Sequence, residues 1–500
     1  MMMYGAISGG ARNALPISAL LVVEVVVGVA VVSIGLVNDL RWQVLLLACL
    51  LLAAIVLVSA EPLQTVVFIF VLSMTTQVGM NIPKGPAWHH GGAADVFQLY
   101  VYDLLFLASV GIWLMRGAVQ RRQSWRIDLV DAAPLGFLAW STMTVSYSVS
   151  PSHSIFQIYL MVKVYLFYIF VRHWAENRRN TATIELALAA GLVIQSLIIF
   201  AQFFTQESIG LLGPMEDRTV WFRGEIFNRP GGTIGSDQAV GSYLGLVLPL
   251  ALAGLLSRLP PRQRALHGGA LILGVVALLM TLSRAGWIQF GVAVFVFGLV
   301  FVRKISLRGF LLATSVVGAL ALAILGHTDI GELVQMRLLE FSEVSTFGRL
   351  DLFGVAWSMI EANPIFGVGL NTFRFVAPQY DTTGITLVTP VAVHNIPLLL
   401  WSETGTVGLF LFFAFPFLVG WRLWAYQRLA GGPMAASACG ILAGLVGFFA
   451  GGLFDVNYAH QLNIVHFWVV AGLGMAITRM ESEAQGLRLA HECRKSTEAA

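Results

Sequence analysis

Residues 393–421 read VHNIPLLLWSETGTVGLFLFFAFPFLVGW and contain one formally charged side chain, that of Glu403. At about 1.5 Å per residue, a helix over residues 396–421 would be about 39 Å long. The hydrocarbon core of a bilayer is about 30 Å thick, so this stretch is long enough to cross it. It therefore predicts a transmembrane helix that begins just after His394.

The whole chain has the composition of a membrane protein. Of its 500 residues, 57% are hydrophobic and 11% are charged, whereas soluble globular proteins carry roughly 25% charged residues. Apolar runs recur along the chain, and within lipid each must be a helix, which bonds its own backbone groups. We predict an all-α polytopic membrane protein with about 12 to 14 transmembrane helices. The predicted spans are 15–36, 43–60, 62–80, 97–116, 129–148, 155–172, 184–205, 236–256, 268–284, 286–302, 309–326, 396–421, 433–454 and 462–478.

Two kinds of chemistry are excluded by the sequence. None of its lysines follows a glycine, so a Walker A phosphate loop is absent. Cys49 and Cys439 lie within apolar runs and Cys493 lies near the C-terminus, so the cysteines form no disulfide framework. We predict no cofactor.

The distribution of lysine and arginine predicts the orientation. With the N-terminus in the cytoplasm, most of these residues fall in cytoplasmic loops, as the positive-inside rule requires. Nearly all the cations left outside are arginines, whose rigid, permanently charged fork suits phosphate. The cytoplasmic loops are also rich in arginine, which weakens this argument. The exterior cations are Arg41, Lys84, Arg218, Arg223, Arg229, Arg284, Arg337, Arg349 and Arg374.

We predict three regions along the chain. Residues 1–205 form N-terminal transmembrane helices, residues 206–478 form the membrane core with an exterior loop at 327–395, and residues 479–500 form a cytoplasmic tail. Within the loop, the apolar spacing of residues 348–362 predicts a helix lying against the membrane face. Asn363-Pro364 should end that helix, and GVGLNTF at 367–373 predicts a glycine-rich turn.

The strongest candidate for chemistry is His394, with Asn395 beside it, at the exterior start of a span. Histidine has an ordinary pKa near 6.5 and is a natural general base. The alternative is a histidine that only satisfies a helix end. Glu403, nine residues later, is an intramembrane acid and hence a functional candidate, or else a buried structural partner.

Three further segments place arginines on the same side of the membrane. Residues 228–238 read NRPGGTIGSDQ, where glycines and a helix start suit an anion, although a plain turn is the alternative. Arg284 lies at the break between two spans, where it could also be an interfacial arginine with its charge in water. Arg349 begins the amphipathic stretch and could instead be a solvated loop charge.

Together these segments resemble the O-antigen ligase superfamily, which includes O-antigen and exopolysaccharide polymerases. His394-Asn395, followed after nine residues by Gly405-Thr406-Val407-Gly408, is similar to the family's pattern of His-[Asn/Ser/Gln], nine residues, Gly, two residues, [Gly/Thr/Tyr]. Similar family segments occur in the same order at 229–235, 283–284, 348–349 and 363–369, and the resemblance covers about 220 to 460. Where many members carry Pro-Asn, this chain has Ser236-Asp237.

The resemblance implies a GT-C-like helical fold in the bacterial inner membrane. The distribution of lysine and arginine predicts that both termini are cytoplasmic. The resemblance also implies transfer of a glycan from an undecaprenyl-diphosphate donor to a glycan or lipid-linked acceptor on the periplasmic face. By residue, it makes His394 the catalytic base and Arg284 and Arg349 the groups that bind the diphosphate, with Arg229 supporting them. Asn395, Glu403 and Asp455 are expected to have supporting roles.

We expect the transfer to be metal-independent, because the exterior loops contain no Asp-x-Asp pair and no cluster with metal-ligand spacing. Arginines would then stabilise the charge of the leaving diphosphate. A ligase and a polymerase fit the sequence about equally well. An anion transporter is a further alternative, although the chain shows no repeated halves and its clearest mid-span charges, Glu24 and Lys163, could pair with each other.

Overall fold

The computed structural model describes residues 59–76, 78–82, 96–120, 127–209, 215, 219–301, 308, 312, 315, 329–339, 343–388, 391–429, 431–458 and 460–498. Contacts divide the chain into two units, residues 1–69 and 70–500. In the first unit, the Ser59 hydroxyl accepts a hydrogen bond from the Glu61 amide at 3.2 Å, just ahead of a helix start. The predicted span 15–36, and nearly all of 43–60 and 309–326, lie outside the described residues.

The described residues are mostly helical. The helices are α1 (Pro62–Ser73), α2 (Val101–Gln120), α3 (Leu129–Thr144), α4 (Pro151–Trp174), α5 (Arg178–Thr205), α6 (Asp237–Leu256), α7 (Pro261–Met280), α8 (Arg284–Phe301), α9 (Asp329–Leu339), α10 (Glu343–Ala362), α11 (Phe373–Val376), α12 (Ile385–Val388), α13 (Ile396–Leu429), α14 (Gly432–Gly451) and α15 (Gln461–Glu498), with a 3-10 turn at Ala377–Gln379. Two antiparallel hairpins pair β1 (Gly79–Ile82) with β2 (Phe97–Tyr100) and β3 (Thr219–Phe222) with β4 (Glu225–Asn228).

Seven helices among the described residues are long and apolar enough to cross a membrane. They are α4, α5, α6, α7, α13, α14 and the Asn463–Met480 part of α15. The shorter apolar helices are α1 and the Arg284–Val300 part of α8. The prediction of an all-α polytopic membrane protein is confirmed.

Two predicted spans include residues that form strands in the structure. The prediction of a continuous span over 62–80 was wrong, because α1 ends at Ser73 and a strand begins at Gly79. The hydroxyls of Thr75 and Thr76 bond back to the carbonyls of Leu72 and Ser73, which satisfies the end of the helix. The span predicted over 97–116 likewise begins with strand β2 before it becomes α2. Hydropathy predicts a helix for these apolar strand residues because it does not distinguish a strand from a helix.

Helix α6 forms the centre of the bundle and is buried along nearly its whole length, against α7, α8 and α14. Glycines of α14 let the two backbones approach closely. A Cβ on Gly440 would lie 2.7 Å from the carbonyl oxygen of Pro249. Small residues at such contacts are the usual means by which membrane helices associate.

Buried charges at one end of the bundle are paired. Arg172 in α4 is fully buried and forms ion pairs with Asp131 and, at 3.1 Å, with Asp128. The two aspartates also form a reciprocal capping box at the start of α3. This arrangement fixes the end of α4 against the start of α3, and we refer to this side of the bundle as the Arg172 end.

Lys163 has a different partner from the one considered from the sequence. Its Nζ lies 3.2 Å from the Asp103 carboxylate and 3.3 Å from the carbonyl oxygen of Gln98. The rings of Tyr100, Tyr102 and Tyr159 surround it, each with its centroid 5.5 Å away. Glu24, the alternative partner, lies outside the described residues. The charge of Lys163 is therefore compensated locally.

Candidate functional site

His394 lies in the segment that leads into α13 and is partly exposed. Its Nδ1 lies 3.0 Å from the carbonyl oxygen of Ala392. A carbonyl oxygen can only accept a hydrogen bond, so this contact places a proton on Nδ1. In the neutral ring, Nε2 is then the nitrogen that can accept a proton, which is the state a general base requires.

Asn395 holds His394 in place by capping α13. Its Oδ1 accepts from the Leu398 amide at 2.9 Å, and its Nδ2 donates to the carbonyl of Leu453 at 3.1 Å. The amide of Ile396 donates to the carbonyl of Gly452 at 2.8 Å. The histidine is therefore fixed against the turn that follows α14.

Asp455 lies in that same turn and is almost completely buried. Its Oδ1 accepts a hydrogen bond from the Val456 amide at 2.8 Å. Nearby, Asn457 donates from its Nδ2 to the carbonyl of Phe448 at 2.8 Å. The turn that carries Asp455 is thus tied both to the end of α14 and, through Gly452 and Leu453, to the start of α13.

Helix α13 is broken at Gly405, whose φ of +67° interrupts the helical backbone. The carbonyls just before the break find partners elsewhere: Ser402 accepts from Val368 at 3.0 Å and Glu403 from Gly369 at 2.8 Å. The Thr404 carbonyl accepts from the indole of Trp140 at 2.8 Å. In return, the Thr406 amide donates to the Pro364 carbonyl at 2.8 Å. The segment 363–369 therefore docks into the break.

The Glu403 carboxylate points into the same docked loop and is buried. Its Oε2 accepts from the Asn371 amide at 2.8 Å and its Oε1 from the Phe373 amide at 2.9 Å. Both bonds satisfy backbone groups at the start of α11. Of the two interpretations of Glu403, these contacts support that of a buried structural partner which positions the loop.

Arg284 is the first residue of α8, after a three-residue connection from α7 in which Leu282 has a φ of +56°. The connection packs on α6, since a Cβ on Gly241 would lie 2.8 Å from the Cβ of Ser283. The predicted break between two helices at this arginine is present. The Arg284 side chain is partly exposed.

Arg229 is paired with a carboxylate. Its Nη1 lies 2.8 Å from Oδ2 of Asp237, whose side chain is fully buried, while that of Arg229 is 11% exposed. Asp237 is the first residue of α6 and stands where the resemblance would place an asparagine. In this chain the pair offsets much of the positive charge of Arg229.

The glycine-rich segment before α6 forms a turn anchored by glutamines. The Gly232 amide donates to Oε1 of Gln202 at 2.8 Å, and the Thr233 amide donates to Oε1 of Gln195 at 3.0 Å. Gly232 and Gly235 both have positive φ angles. These two amides bond to side chains of α5, so the plain-turn interpretation describes them better than a phosphate loop.

Arg349 lies on α10, which extends the helix predicted over 348–362 toward the N-terminus. Its neighbour Gly348 packs near α12, since a Cβ there would lie 3.4 Å from Cδ1 of Ile385. Further along, the ring of Trp357 meets that of Trp401 with centroids 5.9 Å apart. Helix α10 therefore contacts the part of α13 that precedes the break at Gly405.

A chain of contacts brings the starts of α6, α8 and α13 to one end of the bundle. A Cβ on Gly451 would lie 2.8 Å from Oε1 of Gln289 and 3.5 Å from the carbonyl oxygen of Ala285. The adjacent Gly452 packs on Ile396. His394 and Arg284 therefore lie at the same end, the His394 end, together with the Arg229–Asp237 pair. Among the described residues, no group of three or more His, Cys, Asp or Glu side chains could hold a metal ion.

Sequence reasoning missed the break at Gly405 and the docking of residues 363–369 into it. Both segments carried a signal: Gly-Thr-x-Gly at 405–408 and Asn-Pro-x-x-Gly-x-Gly at 363–369. Gly405 and Gly367 face each other, and a Cβ on either would collide with the backbone of the other segment. The two motifs are thus the two sides of one contact.

Comparison with protein families gives one match. Residues 269–413 match the family model described as O-antigen ligase. The matched residues include Arg284, Arg349, His394 and Glu403, whereas Arg229 and Asp455 lie outside them. No curated protein matches the chain. The match over residues 269–413 and the mostly helical membrane fold support membership of the O-antigen ligase superfamily.

Proposed function

We propose that this protein moves a glycan from an undecaprenyl-diphosphate donor to an acceptor hydroxyl, as an O-antigen ligase. Membership of the superfamily supports a membrane glycosyltransferase of the ligase or polymerase type. The observation that carries the proposal is His394, which donates from Nδ1 to Ala392 at the same end of the bundle as Arg284.

In the proposed reaction, Nε2 of His394 takes the proton of the acceptor hydroxyl as its oxygen attacks the anomeric carbon of the donor sugar. The bond from that carbon to the diphosphate oxygen breaks, and its electron pair leaves with the diphosphate. Attack from the side opposite the leaving group inverts the anomeric carbon.

Arg284 and Arg349 would bind the diphosphate and stabilise its growing negative charge. Arg229 would contribute less, because its charge is already shared with Asp237 at 2.8 Å. Asn395 and Glu403 would position the histidine and the docked loop, and Asp455 the turn beside them. In this scheme arginines replace a divalent ion, so the reaction is metal-independent.

The proposed orientation places the His394 end on the periplasmic face of the bacterial inner membrane and the Arg172 end in the cytoplasm. The positive-inside rule supports it, because Arg258, between α6 and α7, and Arg262 and Arg264, at the start of α7, lie on the side opposite His394. Both termini would then be cytoplasmic. The lipid-linked donor and the acceptor would meet at the periplasmic surface.

The test is transfer by the purified protein in proteoliposomes, with an undecaprenyl-diphosphate-linked glycan and an acceptor extracted from a deletion strain. We expect the protein with His394 replaced by alanine to lose transfer by about a hundredfold or more. Arg223→Gln, at an exposed arginine paired with Glu332, is the folding control. Normal transfer by the His394→Ala protein, or transfer abolished by EDTA and restored by magnesium, would refute the mechanism.

The glycans of the deletion strain separate a ligase from a polymerase. If the protein is a ligase, full-length glycan accumulates on the lipid carrier. If single repeat units are found joined to the acceptor, the protein is a polymerase and the ligase proposal fails.

A further inference from the structure

A second cluster of polar and aromatic side chains lies beside the docked loop and plays no part in the scheme above. It consists of His153, Arg374 and Phe375, which we name the Arg374 platform. The guanidinium of Arg374 lies 4.7 Å from the centroid of the Phe375 ring. The His153 ring lies 4.6 Å from the same ring. Arg374 and His153 are partly exposed, and Phe375 is 37% exposed.

The buried side chains of Glu403 and Asn371 fix the position of the platform. Glu403 accepts the amides of Asn371 and Phe373, which fixes the start of the short helix that carries Arg374. Asn371 has a φ of +60° and donates from its Nδ2 to the carbonyl of His153 at 2.9 Å. The loop and the start of α4 are therefore joined directly, which sets the position of Arg374 relative to His153.

The platform is linked to the proposed catalytic histidine through one helix. Glu403 stands on α13 seven residues after Ile396, a rise of about 10 Å along the helix. Arg374 thus lies on a loop fixed to the same helix whose start carries His394. An oligosaccharide of several sugars with one end at His394 is long enough to span such a rise.

The chemistry of the platform fits a charged sugar. An arginine binds a carboxylate through two parallel N–H groups. The exposed part of the Phe375 ring offers an apolar surface on which a pyranose ring can pack its C–H face, and the His153 ring borders it at an angle of 54°. His153 adds a polar edge, since its Nδ1 is hydrogen-bonded to Ser150 Oγ at 2.7 Å.

We propose that the Arg374 platform binds an acidic sugar of the acceptor glycan. This inference rests on the proposed transfer function and names part of its acceptor. The diphosphate of the donor is assigned to Arg284 and Arg349, so the platform recognises a different substrate. An anionic lipid headgroup would use the charge of Arg374 but would have no pyranose ring to pack on Phe375.

The test uses binding to the full-length protein in nanodiscs, without donor, by saturation-transfer NMR titration. The probes are a glucuronic acid–glucose disaccharide, the neutral disaccharide cellobiose and inorganic phosphate. We expect the acidic disaccharide to bind about tenfold more tightly than cellobiose, the difference expected of one charge-assisted bond. Arg374→Gln should remove that difference, and Phe375→Leu should weaken both disaccharides by several-fold. Arg223→Gln, at an exposed arginine paired with Glu332, is the matched control and should change nothing.

The proposal is overturned by wild-type protein that binds both disaccharides equally, or by an Arg374→Gln protein that keeps the preference. If Arg374→Gln weakens phosphate and the acidic disaccharide alike while Phe375→Leu changes neither, the cluster is an anion site and the proposal also fails. The His394→Ala protein should keep the preference for the acidic disaccharide, because the test measures binding and the preference is assigned to Arg374. Failure of this test therefore leaves the transfer function standing, and failure of transfer is detected separately.

Discussion

At one end of the bundle the fully buried Arg172 pairs with Asp131 and Asp128, whereas at the other the buried Glu403 accepts backbone amides. In the first case the carboxylates compensate the charge of the arginine, and the ion pairs stabilise the fold. In the second the carboxylate is satisfied by the peptide chain. The comparison indicates that the Arg172 end is fixed mainly by ion pairs, while the loop at the His394 end is fixed mainly by backbone hydrogen bonds to Glu403 and to the break in α13.

The largest effect should come from breaking the ion pairs. Arg172→Met leaves Asp131 buried without its cation, and we expect the free energy of unfolding to fall by about 3–5 kcal/mol. Arg223→Met is the control, because Arg223 pairs with Glu332 and both side chains are more than half exposed. That change should cost no more than about 1 kcal/mol. Unfolding of both proteins in the same detergent gives the comparison, and equal losses would show that the Arg172 end is not held by its charges.

The next effect concerns the His394 end and should appear in activity. Arg284→Ala or Arg349→Ala should reduce kcat/KM for transfer by about a hundredfold to a thousandfold, because each removes a group that stabilises the leaving diphosphate. Lysine at either position should restore only part of the rate, since the bidentate fork is lost. The free energy of unfolding should stay within about 1 kcal/mol of wild type. Near-normal transfer by both alanine variants, or a loss of stability as large as that of Arg172→Met, would remove the distinction between the two ends.

The sequence predicted the helices that form both ends of the bundle, but it did not predict the contacts between those helices. Hydropathy predicted α6 at 236–256, where the helix is Asp237–Leu256, because a long apolar run has one stable form in lipid. It did not predict the pairing of Arg229 with Asp237, which depends on how the turn between them folds. It also misread the chain after Ser73, where a strand follows a helix within one apolar run.

At the candidate site too, the sequence predicted the residues but not the contacts between them. The order of motifs identified His394, Arg284 and Arg349 as candidates, and the structure places His394 and Arg284 at one end of the bundle. The role of Glu403 stayed open because its partners, the amides of Asn371 and Phe373, lie thirty or more residues away in sequence. Backbone partners carry no side-chain signature, so no sequence pattern could have named them.

The smallest effect tests whether the backbone contact at the break is what holds the His394 end. Gly405 has a φ of +67°, and a Cβ there would collide with the carbonyl of Ile365. We expect Gly405→Ala to cost about 1–3 kcal/mol and to displace residues 364–373 from the break. Gly420→Ala on the same helix is the control, because its Cβ would lie in ordinary contact, 3.6 Å from Leu442. Hydrogen exchange of the Val368 and Gly369 amides measures the displacement directly. Faster exchange in the Gly405 variant alone is expected, and unchanged exchange would mean that the loop is held by Glu403 rather than by the break.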